Sequence, residues 1–169
     1  MVAILSELRT DRLILRPVRA DDLPAALEIH TDPRTNLHNP TPHTDQDVPE
    51  TLEGWLEHWS AHGFGYCAVQ LPASGEIIGF GGLRTLHLGD EVALNLYYRF
   101  RPSAWGYGYA PEMARAVIEW AQRAVPGTPI VIITSVGNGP AIRVAEKLGF
   151  RKFREGDYGG AFSAFFRFP

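Results

Sequence analysis

A short run at residues 105–111 combines glycines and small residues directly before an amphipathic stretch. The run is WGYGYAP, and it follows EVALNLYYRF (91–100), which is typical of a strand. Gly106 and Gly108 allow the backbone to turn tightly and to approach a ligand with no Cβ in the way. The first residues of the following helix carry unpaired N–H groups and partial positive charge. Together these features indicate a site for an anion such as a phosphate group.

Two other phosphate-binding motifs do not fit this run. A P-loop needs Gly-Lys-Ser/Thr at the start of the helix, where this chain has Gly108-Tyr109-Ala110. A dinucleotide-binding fingerprint needs a third small residue and a βαβ unit, but the preceding segments predict antiparallel strands. A nucleotide- or NAD-binding protein is therefore the weakest of the alternatives.

The composition is that of an ordinary globular protein and excludes several functional classes. The 169 residues are 45% hydrophobic and 21% charged with a net charge of -3, which favours one domain over residues 1–169. No basic block predicts binding to nucleic acid or to a membrane. The single cysteine, Cys67, fits a reducing compartment. Without a signal-peptide pattern at the N-terminus, the prediction is a cytoplasmic protein.

Patterns along the chain place residues 105–111, which we call the anion loop, within a mixed α/β or α+β fold. LILRPV (13–18) alternates like a half-buried strand, and two helices follow it, the second ending at Gly63. Three antiparallel strands then lead into the loop and its helix. PIVIITSV (129–136) predicts a strand covered on both faces, and the segment after it predicts a helix capped by Asn138. The chain closes with a predicted hairpin.

Three segments resemble the GNAT N-acetyltransferases. The run Trp105–Ala110, preceded by Arg101-Pro102, is similar to that family's Q/R-x-x-G-x-G/A acetyl-CoA loop. NGPAIRVAEKLGF (138–150) is similar to its N-x-x-S-x-x-x-x-x-K-x-G-F segment. RTDRLILRPVRADDLPAALEI (9–29) resembles the start of the branch that includes the ribosomal-protein N-terminal acetyltransferases (RimJ/RimL type). The three matches keep the family's order across nearly the whole chain.

The resemblance implies a fold, a cofactor and a set of binding residues. The fold would be a mixed, mostly antiparallel sheet of about seven strands flanked by helices, with a splayed strand pair that holds acetyl-CoA. Backbone groups of Tyr98, Arg99 and Phe100 would bind the pantetheine arm. Asn138 would bind the cofactor near the neighbouring strand. The pyrophosphate would bind to the N–H groups of the loop formed by Gly106, Tyr107, Gly108, Tyr109, Ala110 and Pro111.

The catalytic groups are the least determined part of the prediction. Period-two alternation puts Glu91 and Asn95 on the polar face of their strand unless a β-bulge intervenes, and Glu91 is the candidate general base. His87 and Tyr158 are lesser candidates. A tyrosine that serves as general acid in many family members is replaced by Ala145, and the Ser of the Asn-x-x-Ser segment is Ala141. The loop histidines His30, His38 and His43 match no metal-ligand spacing, and no metal is predicted.

The leading functional prediction is an enzyme that transfers acetyl from acetyl-CoA to a primary amine in a ternary complex. The acceptor is a protein N-terminus or a small-molecule amine, bound between the 36–44 loop, the second helix and the closing hairpin. The alternative is a non-catalytic acyl-CoA-binding module. No nucleic-acid or membrane partner is expected, and a homodimer is left open.

Overall fold

The computed structural model describes residues 4–169, which form eight strands and four helices. The strands are β1 (Leu8–Arg9), β2 (Ile14–Pro17), β3 (Tyr66–Gln70), β4 (Ile77–Leu88), β5 (Glu91–Phe100), β6 (Ile130–Ser135), β7 (Arg151–Tyr158) and β8 (Ala161–Arg167). The helices are α1 (Leu23–Thr31), α2 (Val48–His62), α3 (Tyr109–Ala124) and α4 (Gly139–Lys147). None of the helices in residues 4–169 has the length and apolarity needed to cross a membrane.

All eight strands lie in one sheet with the order β1-β2-β3-β4-β5-β6-β8-β7. Every neighbouring pair is antiparallel except β5 and β6, which are parallel and joined through α3. The predicted mixed, mostly antiparallel sheet is confirmed, with eight strands instead of about seven. The additional strand is the two-residue β1, which is too short to give a periodic signal.

The central hairpin of β4 and β5 is regular over its whole length. The cross-strand pairs run from Leu88↔Glu91 to Gly79↔Phe100 without a shift in register. The β-bulge that could have exchanged the faces of β5 is therefore absent from this pair, and the alternation predicted from the sequence holds. Leu94 and Leu96 face the core under α3, whereas Tyr97 packs against the core under α1 and α2.

Two hydrophobic cores fix the helices on opposite faces of the sheet. The larger core joins the sheet to α3 and α4 and includes the fully buried Met113 and Ala145. The smaller core joins β3 and β4 to α1 and α2 and includes Ile29, Trp55 and Phe80. Trp55, only 4% exposed, is a core residue as its helical spacing predicts.

The helix ends follow the predicted signals. The helix α2 ends at Gly63, which adopts φ 76°, and Gly149 with φ 95° follows α4. Asn138 caps α4 by accepting a hydrogen bond from the N–H of Ala141 at 3.2 Å. β6 departs from the prediction, because only Ile130–Ile132 are buried and its last three residues are half-exposed. These last residues lie where the strand has separated from β5.

Candidate functional site

The parallel strands β5 and β6 pair over only two residue pairs and then separate. The pairs are Leu94↔Ile130 and Asn95↔Val131, after which both strands continue toward the same edge of the sheet. The resulting wedge opens between residues 96–100 and residues 132–135. We call the Asn95↔Val131 pair its apex. A wedge of this kind leaves the facing backbone groups of both strands free to bind a ligand.

The hydrogen bonds of β5 show which of its peptide groups face the wedge. The N–H of Leu94 donates at 2.7 Å to the carbonyl directly before β6, and that of Arg101 donates at 2.8 Å to a carbonyl of β4. Backbone groups of successive residues in a strand alternate between the two neighbouring strands. The backbone of Tyr98 and Phe100 therefore faces the wedge, whereas that of Arg99 faces β4, where it pairs with Phe80. The predicted backbone role of Arg99 is thus a poor match, because its peptide group belongs to the β4–β5 ladder.

The loop before α3 presents a row of free backbone donors at the mouth of the wedge. Gly106 and Gly108 have φ of 85° and 78°, in the left-handed region that favours glycine. Within residues 4–169, no acceptor binds the five successive N–H groups from Gly106 to Ala110. A helix N-terminus with such donors binds anions through hydrogen bonds and the helix dipole. Pro111 has no N–H, so it is a buried residue of the first turn and contributes no donor.

The carboxylate in the first turn of α3 is bound away from this row of donors. Glu112 accepts hydrogen bonds from the hydroxyl of Thr10 and from the backbone N–H and side chain of Arg12. These contacts lower the pKa of Glu112 against the opposing effect of its burial. The Arg12 guanidinium also lies 4.6 Å from the centre of the Tyr109 ring. The N-terminal segment thereby keeps the carboxylate of Glu112 engaged and adds a cation beside the loop.

Asn138 follows the end of β6 and therefore lies on the same edge of the sheet as the loop before α3. Its Oδ1 atom caps α4, and its Nδ2 group makes no hydrogen bond within the described residues. The nearby Ala145, where the resemblance implies a tyrosine, is fully buried in the core of α3 and α4. An alanine there supplies packing and no proton donor.

A loop between α1 and α2 covers the wedge on the opposite face of the sheet. We call residues 36–44 the strap. Asn36 accepts a hydrogen bond from Nη1 of Arg99 on β5 at 2.9 Å. The carbonyl of His38 accepts one from the hydroxyl of Ser135 on β6 at 3.1 Å. The strap thus contacts both strands of the wedge, in the region where the sequence predicts the acceptor site.

Polar side chains cluster at the apex on the same face as the strap. The Nδ2 group of Asn95 donates to the hydroxyl of Tyr66 on β3 at 2.8 Å. Burial raises the pKa of Tyr66 and keeps its hydroxyl protonated. Within residues 4–169, the Oδ1 atom of Asn95 accepts no hydrogen bond, and the Tyr66 hydroxyl donates none. One free acceptor and one free donor are therefore adjacent at the point where the strands separate.

Next to this pair, Tyr97 binds a buried histidine. The Nε2 atom of His30 lies 2.8 Å from the Tyr97 hydroxyl, and its Nδ1 lies 2.9 Å from the carbonyl of Ala26. Since Nδ1–H must donate to that carbonyl, Nε2 accepts from Tyr97. Burial is the main cause that lowers the pKa of His30 to about 3, so the ring is neutral near pH 7. In the described residues, no three or more His, Cys, Asp or Glu side chains form a group that could hold a metal ion.

The predicted general base lies far from the wedge. Glu91 begins β5, is exposed, and pairs with Arg167 at 3.2 Å. Four residues separate it from the apex, a distance of about 13 Å along a strand. A general base must reach the amine directly or through one water. The structure therefore does not bring Glu91 together with the other predicted residues. The exposed His87 pairs with Val92, three residues before Asn95, and also lies away from the wedge. Tyr158 lies closer to the wedge, at the tip of the closing hairpin.

Sequence reasoning did not identify the partners of the β5 side chains. The alternation of β5 places Asn95, Tyr97 and Arg99 on one face, and this part is visible in the sequence. Their partners Tyr66, His30 and Asn36 are 29, 67 and 63 residues away. No local pattern predicts such contacts, because they depend on how α1, the strap and β3 pack on the sheet.

Comparisons with known proteins agree with this geometry. The model of the GNAT acetyltransferase domain matches residues 12–151. An acetyltransferase structure from Agrobacterium tumefaciens str. C58 is 27% identical, with a TM-score of 0.85 over 98% of this chain and 95% of that chain. RimL, a ribosomal L7/L12 α-N-protein acetyltransferase solved with coenzyme A, is 15% identical, with a TM-score of 0.77 over 96% and 97%. The ribosomal-protein-S5-alanine acetyltransferase from Vibrio fischeri is 16% identical, with a TM-score of 0.77 over 96% of each chain.

A curated relative matches part of the sequence. The uncharacterized protein YkkB of Bacillus subtilis (strain 168) is 32% identical over 76 residues, which are 45% of this chain and 44% of that protein. The alignment thus spans less than half the length of this relative. The domain model, by contrast, spans most of the chain and includes both the anion loop and the wedge. The chain belongs to the GNAT family of N-acetyltransferases.

Proposed function

We propose that the protein transfers acetyl from acetyl-CoA directly to a primary amine in a ternary complex. The observation that carries this proposal is the continuity of free backbone donors from the anion loop into the wedge. Five N–H groups at Gly106–Ala110 lead to the wedge-facing backbone of Phe100 and Tyr98. A pyrophosphate followed by an extended arm of amides fits such a row of donors, because both need hydrogen bonds and neither needs a charged side chain.

The residues at the mouth of the wedge have separate roles in this proposal. The N–H groups of Gly106, Tyr107, Gly108, Tyr109 and Ala110 bind the pyrophosphate, and Pro111 shapes the first turn beneath them. Asn138 donates its free Nδ2 group to the cofactor arm while it caps α4. Tyr98 supplies its backbone groups to the arm, whereas Phe100 supplies only its N–H, because its carbonyl accepts from Nε1 of Trp105 at 2.9 Å. Arg99 contributes through its side chain, which holds the strap.

The chemistry needs few side chains from the protein. Acetyl-CoA, when bound, supplies a thioester whose leaving thiol has a pKa of about 8.5 in the free state, so its departure as thiolate requires no strong acid. A wedge-facing N–H of Tyr98 or Phe100 donates to the carbonyl oxygen as negative charge develops there. Asn95 and Tyr66 orient the amine at the apex through their free acceptor and donor. The strap limits access of water from its face of the sheet.

Thiol release from acetyl-CoA tests this function. We expect amine-dependent release by the purified protein with α-amino acids, N-terminal peptides or alkylamines, together with stabilisation by coenzyme A in thermal unfolding. The contrasting function is an acyl-CoA-binding module, which remains relevant because Ala145 provides no acid and Glu91 lies away from the wedge. Stabilisation by coenzyme A without release for any amine would favour that module. No stabilisation by coenzyme A would contradict both.

A further inference from the structure

Three arginines on the face of the sheet that carries α1, α2 and the strap have no carboxylate partner in residues 4–169. We call this the acceptor face. Arg84 on β4 and Arg99 on β5 share this face with Asn95. Arg84 is the cross-strand partner of Asn95, and Arg99 lies four residues after Asn95 on the same strand, so its side chain points to the same side. Arg154 on β7 stacks 4.0 Å over the ring of Phe165, which belongs to the same face. The face is therefore basic, although the whole chain has a net charge of -3.

Arg84 is the best placed of the three to bind a ligand near the apex. As the cross-strand partner of Asn95, it lies about 5 Å from it between Cα atoms. Its guanidinium lowers the pKa of the Tyr66 hydroxyl, against the larger effect of burial, which places the charge near that hydroxyl. The side chain is half-buried and makes no hydrogen bond or ion pair to residues 4–169. All five donors of the guanidinium thus remain available.

Arg99 adds a second cation toward the mouth. Its Nη1 donates to Asn36, and its guanidinium also lies beside the Tyr97 hydroxyl, whose pKa it lowers by charge and a side-chain hydrogen bond against the larger effect of burial. The carboxylates on this face that could neutralise the arginines have other partners. Glu91 pairs with Arg167, and Asp47 pairs with His43 at 3.0 Å and also binds Thr44. The site beside the apex is consequently positive and can accept an anion.

The neutral groups at the apex favour one class of amine. Asn95, Tyr66, Tyr97 and His30 are all uncharged near neutral pH, so none of them takes a proton readily from an alkylammonium ion. The α-amine of a peptide has a pKa near 8, whereas an alkylamine has one of about 10.4. Roughly a tenth of a peptide α-amine is therefore already neutral and nucleophilic at pH 7, and far less of an alkylamine.

As a proposal that rests on the N-acetyltransferase function, we infer that the acceptor is an α-amine that carries a carboxylate. Arg84 and Arg99 bind the carboxylate, and Asn95 and Tyr66 orient the adjacent amine toward the wedge. A free amino acid and a peptide with an acidic residue after its N-terminus share this chemistry. The preference applies to the acceptor and leaves acetyl-CoA binding unchanged.

Matched acceptors test the proposal in two arms. The first arm compares serine with serinamide, and the second compares the peptide amides Ser-Glu-Ala and Ser-Gln-Ala. Each pair differs in one carboxylate, and because removal of the carboxylate from serine also lowers the pKa of its amine, kcat/KM is compared per neutral amine. We expect kcat/KM to be about tenfold higher for the carboxylate member in the arm that matches the natural acceptor, as for a hydrogen bond between charged groups. The preference should decrease as the salt concentration rises.

Variants assign the preference to the arginines. Arg84→Gln should reduce the preference at least fivefold, Arg84→Lys should keep part of it, and KM for acetyl-CoA should stay unchanged in both. Arg123→Gln is the matched control, because Arg123 is an exposed arginine that pairs with Glu119 at the end of α3. Equal kcat/KM within both pairs would overturn this inference while leaving the transferase in place. A raised KM for acetyl-CoA in Arg84→Gln would also overturn it, because Arg84 would then bind cofactor phosphates. Absence of thiol release with every amine would instead contradict the proposed function.

Discussion

The guanidinium of Arg99 donates to Oδ1 of Asn36 at 2.9 Å and thereby joins the strap to the strand that lines the wedge. Asn36 in turn donates to the carbonyls of His30 and Asp32, at 2.7 and 3.1 Å, and is only 8% exposed. One buried amide therefore connects β5, the end of α1 and the strap. The position of the strap over the acceptor side depends on this connection.

Removal of this amide should affect the acceptor more than the cofactor. We expect Asn36→Ala to lower the free energy of unfolding by about 1–3 kcal/mol, because it leaves buried groups without partners. KM for the amine should rise several-fold while KM for acetyl-CoA changes little. A double-mutant cycle of Asn36→Ala and Arg99→Gln should give a coupling energy above about 0.5 kcal/mol, as for residues in contact. Additive effects of the two substitutions would contradict the role of this contact.

Substitution of Gly106 tests the role of the anion loop, and Gly127 provides a matched control. Gly106 adopts φ 85°, and Gly127, at the other end of α3, adopts φ 84°; an added Cβ at either meets no atom within 4 Å. We expect Gly106→Ala and Gly127→Ala to destabilise the fold similarly, by about 1–2 kcal/mol. Isothermal titration with coenzyme A should show a loss of affinity of about tenfold for Gly106→Ala only. Equal affinities of the two variants would remove the loop from the cofactor site.

Two substitutions of Asn138 separate its capping role from cofactor binding. Serine preserves a capping oxygen for the Ala141 N–H, whereas alanine does not. We therefore expect Asn138→Ala to lose about 1 kcal/mol of stability and Asn138→Ser to lose much less. Both variants should raise KM for acetyl-CoA, because both lack the Nδ2 donor. A normal KM in Asn138→Ser would show that the residue is a helix cap alone.

Two buried histidines make the fold sensitive to mild acid. Burial is the main cause that lowers the pKa of His30 to about 3 and that of His58 to about 4, both from 6.5. Below pH 6.5 the unfolded chain binds protons that the folded chain does not, so the free energy of unfolding falls as the pH falls. The slope approaches about 1.4 kcal/mol per pH unit for one fully buried group.

Urea unfolding between pH 7 and pH 5 measures this effect, because the carboxylates titrate mostly at lower pH. Their ordinary pKa values are 3.8 to 4.5, and those of Asp32, Asp47 and Glu112 are lowered further. His30→Gln should flatten the pH dependence even if it lowers stability at pH 7. An unfolding midpoint independent of pH over this range would contradict the neutral buried state of both histidines.

The exposed pair of Glu91 and Arg167 should be almost irrelevant to catalysis. Glu91→Gln removes an ion pair whose side chains are about half exposed, so we expect a stability change below about 1 kcal/mol. Because the pair lies at the opposite end of β5 from the wedge, kcat should change less than twofold. A large decrease in kcat with an unchanged KM would instead restore Glu91 as the general base.

The sequence by itself determined the elements and the anion loop that we propose binds the cofactor. Alternation along β5, the cap at Asn138 and the glycines of the anion loop are local signals, because each reports the conformation of a few adjacent residues. These signals sufficed to predict the mixed sheet, the family and the loop at the mouth of the wedge. The short β1 and the exposed half of β6 escaped prediction, since neither has a distinct periodicity.

Only the tertiary structure decided the side of the site that we propose binds the acceptor. The point where β5 leaves β6 is set by strand pairing between segments that α3 separates in the chain, and this point moves Glu91 out of reach of the site. The contacts of Asn95 with Tyr66 and of Arg99 with Asn36 join residues from distant segments. Such contacts arise from the packing of helices and the strap on the sheet. No spacing in the sequence encodes them, because packing energy depends on shape and burial in three dimensions.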